Sequence, residues 1–300
     1  MRVAGTDQRR TRRSRYVRSQ TVNRSPRLIV PSALTILAVC AGLTAVRLAS
    51  EKHVDLALVL VVGAALLDGI DGRIARLMNA ASKIGAELDS LADVINFGVV
   101  PALIISVTLM DGQDLGWAVV LVYCCSIMLR LARFNTLSDD ENAPGYTRDF
   151  FVGVPAPAAA LIALGPVGLK SGIGEGWWSS FPAICLWTLL AAFLAVSRVP
   201  TSSLKATTKL SRVALAPALV LFTIAAALLV TYPYTLMWII IVAYLAHIPF
   251  AWWANRWVRA RPEHWDTLPA ERRAVRRQTS RRRPIIQKSQ ARLGLRRPGA

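Results

Sequence analysis

Two neighbouring apolar stretches, residues 54–79 and 88–110, carry four aspartates between them: Asp68, Asp71, Asp89 and Asp93. A carboxylate at the centre of a membrane helix costs about 2.5 kcal/mol or more, so each needs a partner or a purpose. Asp68 and Asp71 are three residues apart, and Asp89 and Asp93 are four apart. On helices each pair shares one face. Two helices joined by a short bend can therefore bring the four carboxylates together. Like charges so close repel unless protons or cations lie between them. Hard divalent cations, which take oxygen ligands and substrate phosphates, meet that need.

The residues around the acids are equally selective. Gly72 and Ala75 are small and stand within about two turns of Asp68, where a bulky ligand can approach the backbone. Arg76 follows one turn after Gly72 and offers a bidentate donor to phosphate. Gly85 precedes Asp89 by one turn. Together these residues spell D-x-x-D-G-x-x-A-R, eight residues, then G-x-x-x-D-x-x-x-D. That pattern resembles the signature of the CDP-alcohol phosphatidyltransferases, integral membrane enzymes of phospholipid synthesis. The competing reading is an acidic loop between two spans.

The resemblance implies a lipid substrate, CDP-diacylglycerol, whose pyrophosphate meets Mg²⁺ or Mn²⁺, two ions in all. It implies that Asp68, Asp71 and Asp89 are metal ligands, and that Asp93 is both a ligand and the base taking a proton from the acceptor alcohol. Gly72, Ala75, Arg76 and Gly85 are implied to hold the nucleotide. A homodimer is implied as well. Related enzymes often carry P-N-x-x-T ahead of the motif; here the run is Pro31, Ser32, Ala33, Leu34 and Thr35, with Ser32 in the place of Asn. Thr35 is thereby expected to face the ligand pocket.

Composition agrees with a membrane protein. Of 300 residues, 54% are hydrophobic, and the mean hydropathy is +0.41, too apolar for an ordinary soluble domain. A net charge of +18 would suggest nucleic-acid binding in a soluble protein. Yet of 36 Lys and Arg, 9 precede Pro31 and 14 follow Asn255. The excess belongs to the tails, so nucleic acid is not expected as a partner. The four cysteines lie in apolar runs without metal-ligand spacing, so neither disulfides nor zinc are expected. The basic start does not read as a secretory signal.

Hydropathy predicts an all-α, polytopic helix bundle of about eight spans: residues 28–49, 54–79, 88–110, 115–134, 150–169, 181–196, 213–231 and 235–257. Pro101 is expected to kink the third span, and no strand-like alternation is visible. The bundle, 28–257, is flanked by basic tails, 1–27 and 258–300, which suit membrane-lipid headgroups. With eight spans both termini share one side, and 33 of the 36 Lys and Arg fall there. The positive-inside rule then places termini and aspartates in the cytosol, in the plasma (inner) membrane.

The acceptor alcohol is a separate question. LRLARFN contains Arg130, Arg133 and Asn135, and residues 151–157 read FVGVPAP. Both resemble segments of the family branch whose acceptor is L-serine. The chemistry fits, because an amino-acid carboxylate needs a guanidinium and its ammonium needs an oxygen acceptor. Arginines snorkelling to headgroups are the plainer alternative. Gly153, Pro155 and Pro157 read as shaping a bent helix start. Asp139, Asp140 and Glu141 read as a solvated loop cluster. Rival functions are the same chemistry with glycerol 3-phosphate or inositol phosphate, and, more distantly, a cation transporter.

Overall fold

The computed structural model describes residues 29–77, 83–110, 112–138, 150–202, 219–220, 223–225, 227–229, 231–261 and 275. The N-terminal tail, the C-terminal tail apart from residues 258–261 and 275, the acidic cluster at 139–141 and most of the seventh span lie outside them. The helices are α1 (Ile29–Ser50), α2 (Val54–Leu77), α3 (Lys83–Asp93), α4 (Val100–Leu109), α5 (Asp114–Ser138), α6 (Ala156–Ala163), α7 (Gly165–Ile173), α8 (Phe181–Val196) and α9 (Pro233–Arg259). Five segments are long and apolar enough to cross a membrane: Val30–Ser50, Ile84–Leu109, Asp114–Thr136, Ala156–Ile173 and Pro233–Val258. The 24-residue α2 matches them in length, about 36 Å at 1.5 Å per residue, but carries the motif charges. At 16 residues α8 is shorter.

Short connections set neighbours antiparallel, and α1 packs along α2. The buried stripe of α1 is small throughout: Ala38, Gly42, Ala45 and Ala49. Gly42 of this stripe faces Asn96 and Val100, and on α2 the buried residues Ala57 and Ala64 are small as well. Small residues let backbones approach closely, which is how helices gain contact where lipid removes any hydrophobic advantage. On its opposite face α2 exposes Leu56, Val59, Val62 and Leu66. In water such a stripe would be a liability; against acyl chains it is a match. The α1–α2 bend closes with Lys52 at φ 67° and His53 N–H donating to the Leu48 carbonyl at 2.9 Å. That is the usual wrap-up of a helix C-terminus, here without glycine.

The third span is interrupted by a π-helical turn, Val94–Val99, between α3 and α4. Pro101 brings no N–H to this stretch, so a carbonyl of the preceding turn lacks its helical donor. Tyr123 of α5, fully buried, donates its hydroxyl to the Phe97 carbonyl at 2.8 Å. The expected kink at Pro101 is thus a widened turn held by a cross-helix hydrogen bond. The same device recurs between α6 and α7, ahead of Pro166, where Trp187 Nε1 donates to the Ile162 carbonyl at 2.6 Å. Tyr123→Phe is expected to leave the Phe97 carbonyl unpaired in the core and to cost about 1–3 kcal/mol. Unfolding in detergent measures this; unchanged stability would show that the turn holds itself.

One expectation needs correction at the fifth span. Residues 150–155 are not helical. Phe150–Val152 forms strand β1, paired antiparallel with β2 (Pro200–Ser202) in the register Phe150↔Ser202, Phe151↔Thr201 and Val152↔Pro200. The helical crossing begins only at Ala156. Pro155 and Pro157 forbid earlier helical hydrogen bonds and bias the residues before them to extended backbone. Apart from this ribbon the described residues are helical, turn or loop.

Candidate active site

The aspartates do converge. Asp68 and Asp71 come from α2 and Asp89 from α3, and one carboxylate oxygen of each lies within 4.8 Å of the other two. Asp93, the last residue of α3, lies close enough to Asp68 for the two carboxylates to interact. Asp71 is buried at 2% exposure, while the other three are half-buried. No Lys or Arg forms an ion pair with any of them among the described residues; the ion pairs there are Arg47–Glu51 and Lys170–Glu175. The Asp68 Oδ1 atom is buried without a hydrogen-bond partner. A cluster of acids with no ion pair to a described Lys or Arg, and with an orphaned oxygen inside it, fits oxygen-loving divalent ions.

Asp71 is the most constrained of the four. Its Oδ2 accepts a hydrogen bond from Thr35 Oγ1 at 2.7 Å, and its Oδ1 accepts one from the Gly72 N–H at 2.6 Å. A Cβ added to Gly72 would meet nothing within 4 Å. The space beside this backbone is therefore open, as a ligand approaching it requires. Gly85 is half-buried on α3, and the backbones of Ala75 and Arg76 continue α2. The side chains of Ala75 and Arg76 lie outside what the structure describes.

The arginines of α5 are anchored in a way their spacing did not reveal. Arg130 is buried, with its Nε donating to the Val154 carbonyl. It also lies within electrostatic reach of Asp93. Arg133 Nη1 donates to the Val196 carbonyl at 2.7 Å, filling an acceptor left over at the end of α8. Asn135 Nδ2 donates to Ser90 Oγ at 3.1 Å, tying α5 to α3 between Asp89 and Asp93. The loop they grip is held from the other side too: Gly153 N–H donates to the Val199 carbonyl and Val154 N–H to the Leu194 carbonyl. Gly153 sits at φ +82°, and a Cβ there would stand 2.7 Å from the carbonyl oxygens of Ala195 and Ser197. Only glycine fits this position. FVGVPAP is thus a strap that carries Val154 to Arg130.

Two participants escaped sequence reasoning. Tyr123 stands out only once the Phe97 carbonyl, which Pro101 cannot serve for want of an N–H, is known to need a donor. Asn96, 3% exposed in the π-helical turn, lies against α1 where Gly42 has no Cβ; one built there would be 2.5 Å from Asn96 Oδ1. Neither its Oδ1 nor its Nδ2 has a protein partner among the described residues. An amide inside an apolar run was its one signal.

Acids from two neighbouring helices beside an open glycine form a site suited to divalent ions and to a ligand reaching the backbone. Residues 28–191 match the CDP-alcohol phosphatidyltransferase family, and the chain belongs to it. With its apolar helices it is an integral membrane protein. It is 48% identical over 271 residues to the CDP-diacylglycerol–serine O-phosphatidyltransferase of Mycobacterium tuberculosis strain H37Rv, covering 90% of this chain and 94% of the relative. The protein of the same name from Mycobacterium leprae is 44% identical over 276 residues, 91% of this chain and 90% of the relative. That from Bacillus subtilis is 34% identical over 133 residues, 44% of this chain and 71% of the relative.

Proposed function

We infer that this protein transfers the phosphatidyl group of CDP-diacylglycerol to L-serine, forming phosphatidylserine and CMP. The carrying observation is the trio Asp68, Asp71 and Asp89, with oxygens within 4.8 Å of one another and no ion pair to a Lys or Arg among the described residues. It stands in a chain resembling, over nine-tenths of its length, relatives named for that reaction.

Asp68, Asp71 and Asp89, with Asp93 at the edge, would hold two divalent ions, Mg²⁺ or Mn²⁺. When bound, these supply positive charge to the bridging phosphates and to the departing CMP. The open flank at Gly72, with Ala75, Arg76 and Gly85, takes the cytidine nucleotide. Asp93 receives the proton of the serine hydroxyl as its oxygen bonds to the phosphatidyl phosphorus and the bond from that phosphorus to CMP breaks. Arg130, next to Asp93 with its Nε already committed, has its terminal nitrogens for the serine carboxylate. Arg133 and Asn135 complete the acceptor side. The charge pattern argues for eight spans in the plasma (inner) membrane, with the site and the basic tails, 1–27 and 258–300, on the cytosolic side. The family resemblance argues for a homodimer.

The test offers purified protein labelled CDP-diacylglycerol with L-serine, glycerol 3-phosphate or inositol phosphate, with and without divalent ion. Lipid product and CMP are expected with serine only, and neither after chelation. Product from another acceptor but not serine would move the chain to a different branch of the family. Metal-dependent ion flux in liposomes without CMP release would make it a transporter.

A further inference from the structure

The geometry points to Thr35 of α1 as the positioning residue that presets Asp71 for metal, an inference that rests on the metal reading above. Thr35 is 4% exposed and Asp71 2% exposed, so water does not compete for their contact. The Thr35 hydroxyl lies 2.7 Å from Asp71 Oδ2 and 3.1 Å from the carbonyl of Pro31, one turn earlier in its own helix. A hydroxyl has one proton to donate, and an ionised carboxylate only accepts. The shorter, charge-assisted bond to Asp71 is therefore the one it makes, leaving Pro31 the weaker partner. As a β-branched residue in a helix, Thr35 has few rotamers to choose from, so it aims that proton with little entropy loss.

On the other side, the Gly72 N–H occupies one lone pair of Asp71 Oδ1 at 2.6 Å. Each oxygen of Asp71 thus has one protein donor and one lone pair free. The free pairs are all that remains for the cluster with Asp68 and Asp89. The contrast with Asp68 is informative, because its buried Oδ1 has no donor at all. One ligand is locked before a cation arrives and the other is completed by it. Outer hydrogen bonds of this kind commonly govern metal affinity by about 10–100-fold. Helix α1 contributes none of the aspartates, yet through Thr35 it sets the geometry of one of them.

The test is Mn²⁺ binding to purified protein in the absence of substrate, followed by electron paramagnetic resonance. Thr35→Val, which keeps the shape and removes the proton, is expected to weaken Mn²⁺ binding by about tenfold. Thr35→Ser, which restores the hydroxyl, is expected to recover most of that loss, separating the proton from any repacking of α1 on α2. In an Asp71→Asn background, Thr35→Val is expected to add nothing. Unaltered Mn²⁺ affinity in Thr35→Val, or a raised KM for CDP-diacylglycerol as its sole change, would overturn the assignment while leaving the metal site standing. If wild-type protein bound no Mn²⁺, or Asp71→Asn bound it equally well, the metal reading and this inference would fall together.

Discussion

Asp93→Asn is expected to lower kcat by about a thousandfold while leaving nucleotide affinity nearly unchanged. Positioned proton transfer contributes about 10²–10⁴ to a rate, and a thousandfold corresponds to about 4 kcal/mol of barrier. Asparagine has the size of aspartate and can still face Asp68 and Arg130, but it cannot take the proton of the acceptor hydroxyl. The effect belongs in kcat because Asp93 stands outside the tight trio, at the junction between α3 and the π-helical turn. Single-turnover CMP release together with equilibrium binding of a CDP ligand separates the two quantities. Turnover near the wild-type rate would remove Asp93 from the role of base.

Asp71→Ala is expected to act on the opposite quantities. It removes one of three clustered ligands and strips the Thr35 hydroxyl and the Gly72 N–H of their shared acceptor. Metal affinity and nucleotide affinity should fall together, by about 100-fold in the metal concentration for half-maximal activity. On the proposed reading they fall together, because bound ions would join the nucleotide's phosphates to the aspartates. A divalent-ion titration at several CDP-diacylglycerol concentrations reads this directly. If nucleotide affinity fell while the metal requirement stayed put, Asp71 would be a nucleotide contact rather than a metal ligand.

Much of this site could be read along the chain because the information is local. Asp68 with Asp71, and Asp89 with Asp93, are one helical turn apart, and helical geometry alone places each pair on one face. The spans α1, α5, α8 and α9 are close to their hydropathy limits for the same reason, since burial in lipid depends on composition within a single run. The fifth span was misplaced at its start because hydropathy does not register that Gly153 adopts φ +82° and that prolines at 155 and 157 block helix. Phe150 to Val152 is apolar enough to extend the span but pairs with residues 200–202 instead.

By itself the sequence determined the chemical class: the signature aspartates, the small residues beside them and bilayer-length apolar runs. Only the tertiary structure decided who holds what across helices. Arg130 and Arg133 find carbonyls 24 and 63 residues away, and Thr35 finds Asp71 36 residues away. Those distances are closed by how small-residue faces stack, by a proline that leaves a carbonyl for Tyr123, and by a glycine that alone tolerates its backbone. Periodicity tells which residues share a face; it takes packing to tell which faces meet.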